Sequence, residues 1–368
     1  MTRSSECSRQ AQSDETTTMK NNSEQARLYP LARPVGHVPV IDRYSARFSS
    51  DTSHVIAMFM GVQGSSEREI IASGFEEWIK EAMLLGDAPS HFDRARFEDE
   101  RGALNRLAAL YWNSEQKYRS WMESPVVARW LSGEAAIAAS CGIWWEPVAV
   151  SSERMETITF ENCLRGASAC PFVELEPTDR TGYWGAARDR IPASGNDRLS
   201  GPTVNLDYVP HSRPTHGARI SIQPPKGLAV IRSGVSWEAC GEQQLRSFEK
   251  NIRPKLDEGM KYLRQHPLES GCCSLRQVIL ENSNGIPMKE AYSLGAFLSL
   301  AHLENWAKFH PTHLAIYHRA MAERKRYQNR LELRTYNEIY VIDDKAHNFE
   351  YINCHDGTGL VPFFPACK

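Results

Sequence analysis

The chain contains 368 residues, enough for one large domain or two medium ones with a substantial buried core. Its 43 lysine and arginine residues face 45 aspartate and glutamate residues, so the net charge of −2 excludes a strongly basic nucleic-acid-binding surface. Hydrophobic residues make up 41% of the chain and aromatic residues 10%, which favours a soluble globular protein with a large core or a flat apolar pocket.

Residues 1–35 are rich in serine, threonine, glutamine and asparagine and contain almost no large aliphatic side chains. Such a segment buries too little apolar surface to offset the entropy of ordering. We therefore expect a disordered or loosely draped tail, followed by a single domain over residues 36–368.

The first half of this domain alternates strand-like and helix-like patterns. Apolar runs predict strands over residues 54–63, 104–112, 144–150 and 155–160. Apolar residues at helical spacing predict helices over residues 67–84 and 114–131. The charged stretch after the first helix is not assigned to a regular element.

The second half repeats this order after a linking segment, residues 174–217, that is rich in proline, glycine, aspartate and arginine. Apolar runs predict strands over residues 228–237, 275–281, 291–300 and 331–342. Helical spacing predicts helices over residues 240–265 and 302–326. The residues Asn282-Ser-Asn-Gly285 predict a hairpin turn between two of these strands.

A local likeness between the halves indicates an internal duplication. In each half a tryptophan lies shortly before a proline, Pro125 or Pro311, that can open a helix because its missing N–H costs little there. The element order predicts an α+β protein of two ferredoxin-like units, at about residues 54–160 and 218–345.

The remaining composition points to a reduced, cytoplasmic protein. The nine cysteines follow no disulfide or zinc-binding pattern. The longest weakly polar stretch, residues 135–145, is too short to span a bilayer, and the amino terminus has no apolar signal segment. The chain also lacks the glycine-rich motifs of nucleotide-binding proteins.

Histidines are the strongest chemical signal. His302, His310, His313 and His318 fall within one predicted helix. His313 shares a helix face with apolar neighbours, where a neutral imidazole is a suitable ligand for a haem iron or another borderline metal. The alternatives are a packed core histidine and, for His310-Pro-Thr312, a helix start.

Two further segments carry polar groups that suit a binding site. Arg188 and Arg190 would share one face of an extended chain, with Asp189 pointing away, and could bind an anionic group or form surface ion pairs. Ser233 lies in the middle of a predicted strand, where its hydroxyl can bind a ligand or the backbone.

Five separated motifs resemble the haem-containing aldoxime dehydratases, including phenylacetaldoxime dehydratase. The resemblance runs in order from about residue 54 to residue 364. The motifs lie at residues 182–192, 231–233, 299–306, 310–313 and 352–364.

The resemblance implies a dimeric α/β-barrel fold, which agrees with the duplicated ferredoxin-like units predicted from the element order. It implies a noncovalently bound haem b, a small-molecule aldoxime substrate and a homodimer. The implied reaction dehydrates R–CH=N–OH to a nitrile, with the substrate nitrogen bound to ferrous iron.

The resemblance also assigns individual residues. His313 corresponds to the proximal haem ligand, Ser233 to the distal serine that binds the oxime hydroxyl, and Glu156 to the distal glutamate. The distal arginine is Arg188 or Arg190, and the resemblance leaves this choice open.

One position departs from the family. In the family, a distal histidine that acts as acid and base lies a little over twenty residues after the proximal histidine. The corresponding residue of this chain is Asn337. An amide cannot relay a proton near neutral pH. Glu156, His318, His355 or a water would have to replace it, or the protein is a haem carrier or sensor, or an enzyme for another N–O substrate.

Overall fold

A computed structural model describes residues 27–209, 215–344 and 346–367. Residues 1–26 of the expected tail lie outside the described residues. Residues 27–35 form no helix or strand and contact the segment around Asp189: the Tyr29 amide donates to the Gly195 carbonyl at 3.0 Å, and the Ala32 amide donates to the Asp189 carboxylate at 3.1 Å. This short stretch therefore lies across the surface of the domain.

The described residues contain strands and helices in an α+β arrangement. The strands are β1 (Tyr44–Phe48), β2 (His54–Gly64), β3 (His91–Glu98), β4 (Leu104–Trp112), β5 (Gly142–Ser151), β6 (Met155–Ile158), β7 (Val173–Pro177), β8 (Arg219–Ile222), β9 (Ala229–Ser236), β10 (Cys272–Glu281), β11 (Pro287–Phe297), β12 (Arg334–Val341) and β13 (Phe349–Ile352). The helices are α1 (Glu67–Ala72), α2 (Phe75–Ala82), α3 (Glu115–Glu123), α4 (Pro125–Leu131), α5 (Glu134–Ala138), α6 (Ala186–Arg190), α7 (Glu242–Ser247), α8 (Arg253–Gln265), α9 (Pro267–Ser270), α10 (Leu300–Phe309) and α11 (Pro311–Arg326). Within the described ranges, every helix is too short or too polar to cross a membrane.

The predicted strands are present, but each predicted long helix is interrupted. Gly74 adopts a left-handed conformation with φ of 71° and separates α1 from α2. Helices α4 and α11 begin at Pro125 and Pro311, as predicted from the two prolines. A five-residue π-helical turn, Phe248–Ile252, joins α7 to α8.

The sheet contains two runs of strands with the same arrangement. An 11-stranded sheet has the order β6-β12-β9-β11-β10-β3-β4-β2-β5-β13-β8, and β1 and β7 form a separate two-stranded sheet. In the first half the chain's four successive strands are ordered β3-β4-β2-β5, and in the second half they are ordered β10-β11-β9-β12. Pairing of β10 with β3 joins the two halves edge to edge.

The large sheet curls strongly. On a flat sheet, seven strand spacings of about 4.8 Å would separate β12 from β5 by about 34 Å. Cα atoms of these two strands nevertheless approach within 8 Å. The end strands β6 and β8 are not paired with each other in the described chain, so the sheet is not closed into the expected barrel. Both end strands have four residues, which leaves little backbone for a closing ladder.

The curl divides the apolar core into inner and outer parts. The inner core combines residues of both halves, such as Phe59 and Val148 from the first with Val230 and Tyr340 from the second. The outer face of the first half packs under α1–α5, and that of the second half packs under α8 and α10. The second outer face carries the candidate site.

A fully buried arginine holds the inner faces together. Arg232 on β9 has no solvent exposure and forms an ion pair of 2.7 Å with Asp93 on β3. Its guanidinium also donates a hydrogen bond of 2.6 Å to the hydroxyl of Tyr111 on β4. Glu338, its neighbour on β12, lies 3.7 Å away. Arg232 therefore connects the second half to the first from inside the curl.

Replacing this arginine is expected to destabilise the fold. Arg232→Met leaves the carboxylates of Asp93 and Glu338 buried without their cation, and breaking a buried pair in this way costs about 3–5 kcal/mol of the free energy of unfolding. The midpoint of urea unfolding should fall accordingly. Arg119→Met, which removes an exposed ion pair with Glu115, is the matched control and should leave the midpoint unchanged. Equal midpoints for the two variants would contradict the connecting role of Arg232.

Candidate functional site

Three adjacent strands bring several of the predicted site residues to one face of the sheet. Directly paired residues share a face, and side chains on one strand alternate between faces. Asn337 on β12 pairs with Ser233 on β9, and Ile339 on β12 pairs with Glu156 on β6. Ser233, Asn337 and Glu156 therefore project from the same outer face, beneath the helices of the second half.

Ser233 lies in a gap in the covering layer. Its strand is flanked on both sides by β12 and β11, yet the Ser233 side chain is exposed. Ile231 packs against the cluster formed with α8 and α10, whereas Val235 packs against a separate cluster around Phe248. Between these clusters the outer face of the sheet around Ser233 and Asn337 is uncovered, and we call this part of the sheet the floor. Among the described residues, the Ser233 and Asn337 side chains have no hydrogen-bond partner.

His313 lies on α11 among aromatic side chains. Its ring centroid is 4.8 Å from that of Trp306 and 6.0 Å from that of Trp184. Trp306 belongs to the apolar cluster that includes Ile231, so His313 lies on the same side of the sheet as Ser233. Burial lowers the pKa of His313, and the Ala307 backbone opposes this effect. The imidazole is thus kept neutral, and its buried Nδ1 atom lacks a hydrogen-bond partner.

Glu156 forms a buried pair with Arg190. The Glu156 carboxylate accepts two hydrogen bonds from the Arg190 guanidinium, at 2.6 and 3.1 Å. The side chain of Glu156 is 0% exposed and that of Arg190 is 6% exposed. Burial raises the pKa of Glu156, and the charges of Arg190 and Arg43 oppose this rise. This carboxyl group is therefore closer to protonation than an exposed glutamate.

The two candidate arginines point to different places. The segment is not extended, so the shared face considered for Arg188 and Arg190 does not form: Gly185 adopts a left-handed conformation with φ of 98° and begins the short helix α6. Arg188 donates to Glu304 on α10 at 2.6 Å, whereas Arg190 reaches Glu156. Asp189 between them is buried and accepts a hydrogen bond from the Tyr183 hydroxyl. Arg190 is therefore the arginine beside the open floor, and Arg188 ties α6 to α10.

The other histidines are engaged elsewhere or exposed. His302 Nδ1 lies 2.7 Å from the Ser299 hydroxyl, and His310 accepts a hydrogen bond from the Thr312 amide as the cap of α11. His355 Nε2 lies 2.8 Å from a carboxylate oxygen of Asp99 in the first half. His318 is exposed on α11.

The sequence did not reveal the partners of these residues. Glu304 lies 116 positions from Arg188, and nothing in the local pattern links them. Trp184 lies in the motif at residues 182–192, but the sequence did not predict its contact with His313. Among the residues that the structure describes, no three or more histidine, cysteine, aspartate or glutamate side chains are grouped to hold a metal ion.

The arrangement suits a flat cofactor held by one axial ligand. Helix α11 has 16 residues, of which only Glu323 is buried, so its packing against the domain is incomplete. A neutral imidazole on this helix can bind iron, and the hydroxyl of Ser233 is available to a ligand on the sheet side. A haem supplies the other iron ligands itself, so the single histidine fits it.

A comparison with protein families agrees with this assignment. Residues 58–360 match the model of the family described as haem-containing dehydratase. The phenylacetaldoxime dehydratase of Bacillus sp. (strain OxB-1) is 31% identical over 333 residues, which cover 90% of this chain and 94% of that protein. The aliphatic aldoxime dehydratase of Pseudomonas chlororaphis is 31% identical over 334 residues, covering 89% and 92%.

Solved structures show the same similarity. A crystal structure of an aldoxime dehydratase in complex with butyraldoxime superposes with a TM-score of 0.83 at 29% identity, covering 92% of this chain and 94% of that one. Another aldoxime dehydratase structure gives a TM-score of 0.82 at 30% identity, covering 92% and 96%. The α+β architecture is therefore that of these proteins.

The two arginines of α6 can be told apart by their effect on stability. Arg190→Ala leaves the fully buried Glu156 without its cation and is expected to cost about 3–5 kcal/mol of the free energy of unfolding. Arg188→Ala removes a partly exposed pair and is expected to cost about 1 kcal/mol or less. Urea unfolding of the two variants measures this difference, and a larger loss for Arg188→Ala would contradict the assignment.

Proposed function

The chain belongs to the family of haem-containing dehydratases, and we propose on this basis that it converts aldoximes to nitriles, R–CH=N–OH to R–C≡N and water. The single observation that supports this most is the open polar floor around Ser233, on the same side of the sheet as His313. The named activities of the relatives favour aliphatic or aryl-aliphatic aldoximes as substrates.

His313 is the residue proposed to hold the haem b. Burial lowers the pKa of His313 and so favours the neutral imidazole, the form that binds iron, and its buried Nδ1 atom lacks a hydrogen-bond partner among the described residues. A ferrous haem held by His313 would supply an iron able to bind the oxime nitrogen and to weaken the N–O bond. The rings of Trp306 and Trp184 both contact the His313 imidazole edge to face.

On the sheet side, Ser233 is proposed to bind the oxime hydroxyl. A hydroxyl group both donates and accepts, so Ser233 can orient the leaving oxygen. Arg190 adds a positive charge beside the floor, which would stabilise negative charge developing on that oxygen. Its bidentate pairing with Glu156 fixes the orientation of the guanidinium.

Glu156 is the best candidate for the proton transfers. Loss of water requires a proton on the hydroxyl oxygen and removal of the aldehydic proton. Asn337 cannot do this, and His355 is paired with Asp99 in the first half. Glu156 lies on the floor face and its pKa is raised by burial, so its carboxyl can hold a proton nearer to neutral pH.

Asn337 also favours a second candidate function. Without a histidine at this position, the same pocket would suit a haem carrier or sensor, or an enzyme acting on another N–O substrate. This alternative predicts haem binding without nitrile formation from any aldoxime.

Three further features of the organisation are part of the proposal. Each half has its four strands in the same sheet order, which supports two duplicated ferredoxin-like units at about residues 54–160 and 218–345. We also infer a homodimer and a cytoplasmic location, with no nucleic-acid or membrane partner, from the family resemblance and the near-neutral charge.

The activity is tested with haem-reconstituted protein, reduced with dithionite under anaerobic conditions and mixed with acetaldoxime or phenylacetaldoxime. Nitrile should be detected by gas chromatography. His313→Ala should lose the Soret band of the ligated haem and all turnover, whereas His318→Ala on the same helix should keep both. A haem-loaded wild-type protein that forms no nitrile would favour the alternative function, and a normal Soret band in His313→Ala would exclude this ligand.

The amide at position 337 should limit the rate. Asn337→His places a titratable group on the floor beside Ser233, and a positioned acid or base contributes about 10²–10⁴ to a rate. We expect kcat to rise by at least about tenfold if the imidazole partly adopts this role. Asn337→Gln is the control, since it changes the side chain without adding a titratable group. An unchanged kcat in Asn337→His would show that Glu156 or another group carries the proton transfers alone.

A further inference from the structure

A row of polar side chains crosses the floor of the site. Ser233 on β9 pairs on one side with Asn337 of β12 and on the other side with Ser293 of β11. Ser293 in turn pairs with Gln277 of β10. The next row on the same face is apolar, with Ile339, Ile231, Gly295 and Leu275 in register.

Gln277 closes the row but is not available to a ligand. Its side-chain oxygen accepts a hydrogen bond of 2.6 Å from Arg264, and its amide nitrogen donates to Asp257 at 3.2 Å. The polar character of Gln277 is thus accounted for by contacts within the protein. Contacts within the protein do not account in the same way for Ser233 and Ser293, in the middle of the row.

Ser293 has hydrogen-bonding capacity that the protein leaves unused. Its hydroxyl lies 3.1 Å from the sulfur atom of Met260 on α8. A thioether sulfur is a weak acceptor, so redirecting this hydroxyl to a ligand oxygen costs little. The Ser293 side chain is only partly buried, as expected beside the gap above Ser233.

We propose that Ser293 is a second substrate-binding hydroxyl, which binds the oxime oxygen together with Ser233. Directly paired residues on antiparallel strands have Cβ atoms about 4.5–5.5 Å apart, so two serine hydroxyls can reach one oxygen atom between them. An oxime oxygen accepts two hydrogen bonds and donates one, which matches two neighbouring hydroxyls. This inference rests on the proposed function, because it names a specificity residue of the same site.

Ser233, Ser293 and Asn337 together determine how hydrogen bonding on the floor depends on pH. Hydroxyl and amide groups orient the N–OH end through hydrogen bonds at any pH near neutrality, because none of them titrates there. The contribution of these hydrogen bonds to substrate binding should therefore not change with pH near neutrality. Ser293 then selects ligands with a polar oxygen beside the bound nitrogen over otherwise similar ligands without it.

The test uses the C–O stretching frequency of the carbon monoxide complex of the reduced, haem-loaded protein, which responds to hydrogen-bond donors on the distal side. Ser293→Ala should raise this frequency and raise the KM for acetaldoxime about three- to tenfold, the range of one hydrogen bond, with a smaller effect on kcat. Ser293→Thr keeps the hydroxyl and should restore both values toward wild type. Ser236→Ala removes a hydroxyl from the opposite face of β9 and should change neither.

A double variant separates a shared ligand from an indirect packing effect. If both hydroxyls bind one oxygen, the effects of Ser233→Ala and Ser293→Ala on KM should be non-additive. An unchanged frequency and KM in Ser293→Ala, or equal changes in Ser236→Ala, would overturn the proposal. The carbon monoxide measurement needs no turnover, so it decides the position of Ser293 even if the wild-type protein forms no nitrile.

Discussion

The buried guanidinium of Arg232 constrains both the interior and the site. A charged group without solvent exposure needs compensation, and the shortest contacts of Arg232 cross the curl, to Asp93 and Tyr111 of the first half, while Glu338 of its own half lies 3.7 Å away. Since side chains alternate along a strand, fixing Arg232 inward directs Ser233 outward. Glu338 and Asn337 repeat this relation on the neighbouring strand. The contact that joins the halves therefore also orients the two central residues of the floor.

The two halves share a strand order but use their outer faces differently. In the first half, Trp78, Trp121 and Trp130 fill the space between helices and sheet, with the rings of Trp78 and Trp130 stacked at 4.1 Å. In the second half, the corresponding layer leaves Ser233 exposed between two separate clusters. Much of the aromatic content noted in the sequence thus belongs to the apolar core rather than to the candidate site. Among the aromatic rings that the structure describes, those of Trp184 and Trp306 contact His313.

The sequence predicted those elements whose signal is local. Apolar runs located eight of the eleven described strands of the large sheet, and proline located the starts of α4 and α11. Strand β3 was missed because its sequence, HFDRARFE, contains charges that usually mark a surface. Its Asp93 is compensated by Arg232, and its Arg96 contacts Glu281 on the adjacent strand. Such pairing depends on residues far along the chain, so local composition cannot predict it.

Contacts between distant residues also limited what the sequence could predict about the site. The resemblance supplied His313, Ser233 and Glu156 as candidates, but it could not choose between Arg188 and Arg190. That choice depends on the turn at Gly185, which begins a short helix and directs the two guanidinium groups to different partners. A left-handed glycine before a short helix has a weak sequence signal, since glycine is equally common in loops.

Burial away from water shifts the pKa values of His313 and Glu156 in opposite directions. Burial disfavours the charged form of any side chain, so it lowers the pKa of His313 and raises the pKa of Glu156. The histidine is thereby kept neutral, as an iron ligand must be, and the carboxyl is brought closer to the protonated form that an acid requires. Arg190 opposes the second effect, so the state of Glu156 depends on how firmly that guanidinium is held. With an amide at position 337, the proposed function would assign the proton transfers to Glu156, the carboxyl whose burial and pairing with Arg190 oppose each other.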